Sequence, residues 1–205
     1  MSTPQKLTLP VKGQVAKVKE FDSAKLTLSW INKAGQKPSD MDAMIFGKAA
    51  NGKSVGCFSK LYGRMQNSQG RLDDFPYMQL DQDAAAGVTS IPSQDEPEEE
   101  NITIASLSGH KELYALIYNY SAARGQLSPS PFKAWGVKAT LELFKEGESI
   151  QVIDVPLSDD DSGIAVQIAK IEVNEDGNKI SNATRIFKSE TELKEVPGIV
   201  GTFIQ

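Results

Sequence analysis

Short runs of alternating apolar and polar residues, each closed by a turn signal, recur along most of this chain and leave it little choice but a β fold. In "AKLTLSW" (Ala24 to Trp30), Leu26, Leu28 and Trp30 oppose Lys25, Thr27 and Ser29. In "VKATLELF", Val137, Ala139, Leu141 and Leu143 oppose Lys138, Thr140 and Glu142. Side chains two apart share a face of an extended chain, so each run offers one wall to a core and one to water. "AMIFG" and "VGCFSKLY" flank Asn51-Gly52, a pair suited to a tight hairpin turn. "NEDGNK" likewise turns "GIAVQIAKIEV" back into "ISNATRIFK", and "SIQVIDV" supplies a further strand. "ELYALIYNYS" is apolar on both faces, which predicts a central strand covered on two sides. Helical signals are confined to short pieces around "SPSPFKAWG" and "SETELKEV". About eight to ten strands with so little helix predict an all-β, two-sheet β-sandwich. No internal repeat or composition break divides the 205 residues, so a single domain over 1–205 is expected.

Composition matters chiefly through charge. The net charge of −5 conceals an uneven distribution. Nine carboxylates and no Lys or Arg lie between Asp73 and Glu100, which leaves the remainder at a net of +4. The segment from Leu72 to Asn101 shows no periodicity and predicts a long acidic loop; a connection of that length in a compact domain usually carries function. Such a segment does not suit a nucleic-acid backbone, which needs clustered Lys and Arg. It suits either solvation or a bound cation. No apolar run approaches the length of a transmembrane segment, and "MSTPQKLTLPVKG" lacks a signal-peptide core. Cys57 is the one cysteine, which excludes an internal disulfide or a CxxC redox pair. A soluble, cytoplasmic protein is the expectation.

Asp40 and Asp42 stand directly before the apolar run "AMIFG". On an extended chain they share a face, in line with Met44 and Phe46, and two like charges so placed raise each other's pKa unless a cation sits between them. Asp81 and Asp83 repeat the spacing, and "DEPEEEN" follows. Calcium takes six to eight oxygen ligands at about 2.3–2.6 Å, so converging acidic segments can supply a site. The equally simple alternative is a solvated loop. No EF-hand is present: counted from Asp81, loop positions 5, 6 and 12 are Ala85, Ala86 and Pro92.

Other motifs carry less. "GKAANGKS" (Gly47 to Ser54) matches the phosphate-binding string G-x-x-x-x-G-K-[ST], but that motif needs a helix after the loop. "VGCFSKLYG" has no helical stripe and predicts the return arm of a hairpin. The lone His110 is expected at the surface, and Cys57, mid-hairpin, as a small core hydrophobe. Ser-His or Cys-His catalysis lacks its parts.

The order of three segments resembles the TerD family of tellurium-resistance and stress-response proteins. "LTLSWINKAGQKPSDMDAMIFGKAANGKSV" resembles its opening, where a strand precedes an Asp-Leu-Asp motif, a second strand and a hairpin turn. "LDQDAAAG … PEEENITIASL" resembles its acidic insert, and "ALIYNYSAARGQ" its Ile-Tyr strand and Arg/Gln loop. The likeness runs from about Lys25 to Lys188. It implies a β-sandwich that binds calcium through Asp40, Asp42, Asp81 and the run Glu98, Glu99 and Glu100, with Asp83 as an additional ligand. Leu80 and Gln82 depart from the family's glycine and asparagine, and Glu98 and Glu99 from its aspartates. The implied function is that of a non-enzymatic calcium-binding scaffold or sensor with protein partners in a stress-response complex. With one cysteine and no cofactor motif, direct reduction of tellurite is not expected. Two other readings stay open at this point: a nucleotide-binding enzyme using Gly47 to Ser54, and a metal-free adaptor whose acidic loop docks a basic protein.

Overall fold

The computed structural model describes residues 3–16, 18, 20–59, 69–84, 93–129, 132–157 and 162–200. Through them run β1 (Gln5–Thr8), β2 (Val15–Ala16), β3 (Ser23–Asn32), β4 (Met41–Ala49), β5 (Ser54–Cys57), β6 (Gly70–Arg71) and β7 (Met78–Leu80). There follow β8 (Glu96–Ile104), β9 (His110–Asn119), β10 (Lys138–Lys145), β11 (Glu148–Asp154), β12 (Ala165–Glu172) and β13 (Lys179–Phe187). Helix in the described residues is limited to α1 (Tyr120–Ala123), α2 (Glu190–Leu193) and a 3-10 turn at Phe132–Trp135. One sheet has the order β1-β11-β10-β3-β8-β7-β6 and the other β2-β13-β12-β9-β4-β5. The expected all-β sandwich is the fold observed. No helix among the described residues is long and apolar enough to cross a membrane.

The alternation in the sequence becomes burial. Along β3, Ala24, Leu26, Leu28 and Trp30 are buried while the residues between them are half-exposed. Leu26 stands opposite Leu141 of β10 and Ile102 of β8, so three strands build one apolar wall. That wall packs against Ala43, Ile45, Ile117 and Ile168 of the second sheet to form the main core. Each Leu or Ile so buried contributes roughly 1.5–3 kcal/mol of transfer free energy.

A second core lies on the far side of the second sheet. Met44, Phe46, Leu116 and Tyr118 are covered there by Phe187, Leu193, Val196 and Ile199. β9 lies between β12 and β4, and it is apolar on both faces because both are covered. The covering C-terminal segment comes close enough to touch backbone. A Cβ on Gly198 (φ +95°) would overlap the Gly47 backbone, and one on Gly47 would overlap the Glu112 carbonyl. Gly47 is therefore a packing glycine. The chain after it forms the β4–β5 hairpin, with Lys48 opposite Ser54 and their side chains bonded at 2.9 Å. A strand, β5, follows the turn directly where a phosphate cradle needs a helix.

Several features differ from expectation. The acidic stretch is not all loop: β7 lies within it, and β8 begins at Glu96. Its middle, 85–92, lies outside the described residues, as do 60–62 of the expected strand "VGCFSKLY". His110, expected at the surface, is only 3% exposed. Its Nε2 lies 2.8 Å from the Pro76 carbonyl and its ring stacks on Phe75, because the 72–77 loop is laid over it. Burial holds its pKa below the usual histidine value. Cys57 is fully buried, as expected of a small core residue.

Replacing Gly47 with alanine should push β4 away from β9 and cost about 1–3 kcal/mol. Thermal unfolding of Gly47→Ala should show a lower midpoint; an unchanged midpoint would mean the two backbones are not in contact at this point.

Candidate metal centre

β5 pairs with β4 only from Ile45 to Lys48. The first residues of β4, Met41 to Met44, have β9 on one side and no β5 on the other. Carboxylates gather at that gap. On β8, Glu98 and Glu100 stand opposite Trp30 and Leu28, whose side chains point into the sandwich. Directly opposed residues share a face, so both glutamates point inward and Glu99 points out. Glu100 is fully buried. Its Oε2 accepts the Ala43 N–H at 2.7 Å and its Oε1 accepts the Ala84 N–H at 2.9 Å. One side chain thus joins the open edge of β4 to the segment following β7.

Three aspartates meet beside it. Asp40, Asp42 and Asp83 each present a carboxylate oxygen, and these atoms lie within 4.8 Å of one another. Asp42 is 1% exposed. The chain into β4 is pinned from several directions: Ser39 N–H donates to Asn32 Oδ1 at 2.8 Å, and Trp30 Nε1–H to the Ser39 carbonyl at 3.0 Å. Asp40 N–H donates to Ser121 Oγ at 3.0 Å. Ser59 Oγ–H donates to Asp83 Oδ2 in a short hydrogen bond. Asp40 Oδ1 and Asp83 Oδ1 are buried with no hydrogen-bond partner among the described residues. Buried polar atoms are nearly always satisfied, so two orphan carboxylate oxygens in one cluster fit a cation as their partner.

The electrostatics agree. Burial, then the charges of Asp83 and Glu98, push the Asp40 carboxyl up to about 7. Burial, then Asp42, push Glu100 up to about 9, against the pull of the Ala43 and Ala84 N–H groups; the charge of Asp83 adds to the rise. Glu98 is raised by burial and then by Glu96. Among the described residues, no Lys or Arg forms an ion pair with Asp40, Asp83, Glu98 or Glu100. The described residues thus bring carboxylates together at those positions without a paired cationic side chain.

Asp81 and Glu99 lie elsewhere. Asp81 Oδ1 accepts the N–H groups of Gln82 and Asn101 at 2.8 and 2.9 Å, and its Oδ2 accepts from Asn101 Nδ2 at 2.8 Å. The same Nδ2 donates to Glu99 Oε1 at 3.0 Å, and Thr27 Oγ1 donates to Asn101 Oδ1 at 2.7 Å. These residues form a network on the outer face of the first sheet. Of the carboxylates singled out in the sequence, Asp40, Asp42 and Asp83 come together, with Glu98 and Glu100 beside them. Sequence reasoning missed Ser59 and Tyr118. Tyr118 is the cross-strand partner of Asp42, and its hydroxyl donates to Glu190 Oε1 at 3.4 Å. Nothing in a run of apolar residues distinguishes Tyr118 as the one beside the aspartate.

The fold has solved counterparts. One is a crystal structure of a homologue of the telluride resistance protein TerD from Streptomyces coelicolor A3(2), with a TM-score of 0.54 and 13% identity, covering 84% of this chain and 94% of the other. Another is a protein of unknown function, with a TM-score of 0.50 and 13% identity, covering 83% and 92%. No family model and no curated protein matches the sequence. The chain has a TerD-like fold, in divergent form.

The raised carboxyls predict a pH dependence in chelator. Asp40 ionises near its ordinary 3.8 when unfolded and near 7 when folded. Its contribution to stability is therefore complete below about pH 4 and is lost as pH rises through about 7. The thermal midpoint measured in chelator should fall across that window, and Asp40→Asn should flatten the fall. A midpoint that rises from pH 4 to 7 in both proteins would contradict the raised Asp40.

Proposed function

We infer that this chain is a calcium-binding, non-enzymatic protein of the tellurium-resistance and stress-response type, acting as a scaffold or sensor for protein partners. The convergence of Asp40, Asp42 and Asp83, with two buried oxygens lacking partners, carries the inference. Divalent charge would offset both the burial and the repulsion that raise Asp40, and it would complete the orphan oxygens. The donor set is all oxygen, which suits calcium or magnesium rather than the nitrogen- and sulfur-seeking transition metals. Calcium fits better because it tolerates irregular, carboxylate-rich coordination, whereas magnesium demands a near-ideal octahedron and retains several waters. Glu98 stands close enough to raise the Asp40 carboxyl and is the next candidate ligand. Glu100 has both oxygens committed to backbone N–H groups, so its role is to hold β4 and Ala84 in place around the ion.

The stress-response assignment draws on the sequence resemblance and on the likeness of fold to a homologue of a telluride resistance protein. The strand β5 after the Gly47 to Ser54 turn, where a phosphate-binding loop needs a helix, counts against the nucleotide-dependent reading.

Calorimetric titration with calcium should give saturable heat, accompanied by release of protons near pH 7, since the ion displaces those held by the raised carboxyls. Calcium should also raise the thermal midpoint, by mass action on the folded state. Asp42→Asn should remove most of both effects. No heat with calcium, or an undiminished shift in Asp42→Asn, would reject the site; a larger response to magnesium would replace the ion.

A further inference from the structure

Asp42, Met44 and Phe46 share one face of β4, since side chains two apart on a strand point the same way. The C-terminal segment lies along that face. Leu193, Val196 and Ile199 are buried in the cluster that contains Met44, Phe46 and Tyr118. At its far end Gly198 abuts the Gly47 backbone, and Ser54 Oγ–H donates to the Val200 carbonyl at 2.9 Å. At its near end α2 begins with Glu190, which accepts the hydroxyl of Tyr118, and Tyr118 stands opposite Asp42. The cover therefore begins one side chain away from the acidic cluster and runs the length of the strand that carries Asp42.

Charge sets the sign of the link. Without a cation, Asp42 and its neighbours present negative potential through Tyr118 to another carboxylate, Glu190. The Tyr118 hydroxyl responds to both: its pKa lies well above the ordinary value, first through burial and then through Glu190, with Asp42 adding to the rise. Arg124, with its guanidinium 5.2 Å from the centre of the Tyr120 ring, offsets part of this field. A divalent ion at the cluster lowers the negative potential that Glu190 meets and so weakens the repulsion. Hydrophobic burial of Leu193, Val196 and Ile199 supplies most of the docking energy; the ion shifts the balance at the end where the segment begins.

We propose that the C-terminal segment, 189–200, is a cation-dependent cover: an ion on the acidic cluster holds its Glu190 end against Tyr118, and loss of the ion loosens it from the outer face of β4 and β9. This rests on the cation reading above. Because linkage is reciprocal, docking of the segment tightens ion binding by the factor with which the ion tightens docking. Glu190 is exposed, so salt should weaken the link.

Hydrogen exchange read peptide by peptide, with calcium and with chelator, tests this alongside calorimetry on the same full-length protein. Amides of 189–200 should exchange on the order of fivefold more slowly with calcium, while those of β3 change less. Glu190→Gln keeps a carbonyl acceptor for Tyr118 but removes the charge. In chelator its segment should exchange as slowly as that of the calcium-loaded parent, and the calcium dependence should shrink. Measurable calcium heat with unchanged exchange in 189–200 would overturn the link and leave the cation site standing. Undiminished calcium dependence in Glu190→Gln would also overturn it. Absence of calcium heat would remove both.

Discussion

A single buried carboxylate ties the two halves of the candidate ligand set into one place, and the rest of the site depends on it. Glu100 reaches from the first sheet to the open edge of β4 and takes the Ala43 N–H, while its second oxygen takes the Ala84 N–H. Each bond alone is ordinary. Together they fix the distance between the aspartates at the start of β4 and the aspartate that follows β7. Two N–H donors on two oxygens suit an ionised carboxylate, yet burial first, and then the neighbouring Asp42 and Asp83, oppose ionisation. A cation there would resolve that conflict, because it would let Glu100 keep its charge and its bonds while the aspartates keep theirs.

The gap in the second sheet is what makes room. Had β5 continued alongside β4 to Met41, the Ala43 N–H would be spent on a ladder bond and no side chain could enter from the other sheet. Stopping β5 at Cys57 leaves a short stretch of unpaired strand edge, and such edges are normally covered or charged. Here carboxylates do both. The aspartates and the glutamates sit where two sheets, a hairpin end and the turn after β7 meet, so the electrostatics of the site are a property of the junction between layers.

The outer face of the second sheet gives the molecule a third layer. Without Leu193, Val196 and Ile199 in place, Met44, Phe46 and Leu116 would lie open to water. Because β4 also carries Asp42, the acidic cluster and this outer core share a backbone, and a displacement of one end of β4 is felt by both. The backbone contact between Gly198 and Gly47 marks the other end of the same strand.

Much of the fold was legible in the residues. Strands such as β3 and β10 announce themselves because one face is apolar, and Asn51-Gly52 announces a hairpin because few other pairs accept its turn. The aspartates Asp40 and Asp42 could be picked out by spacing alone. What could not be read was the acidic first half of β8, whose inward positions Glu98 and Glu100 alternate with Glu99 in a run that looks uniformly acidic; periodicity in hydropathy vanishes when the inward residues are themselves charged. Nor could the sequence separate Asp83, which joins the cluster, from Asp81, which bonds Asn101, since pleat and register decide that and both residues are aspartates. The burial of His110 depended on a distant loop folding over it. Local sequence determined which segments extend and where they turn, because those preferences act between near neighbours; the tertiary structure decided which carboxylates meet, because that depends on the packing of strands far apart in the chain.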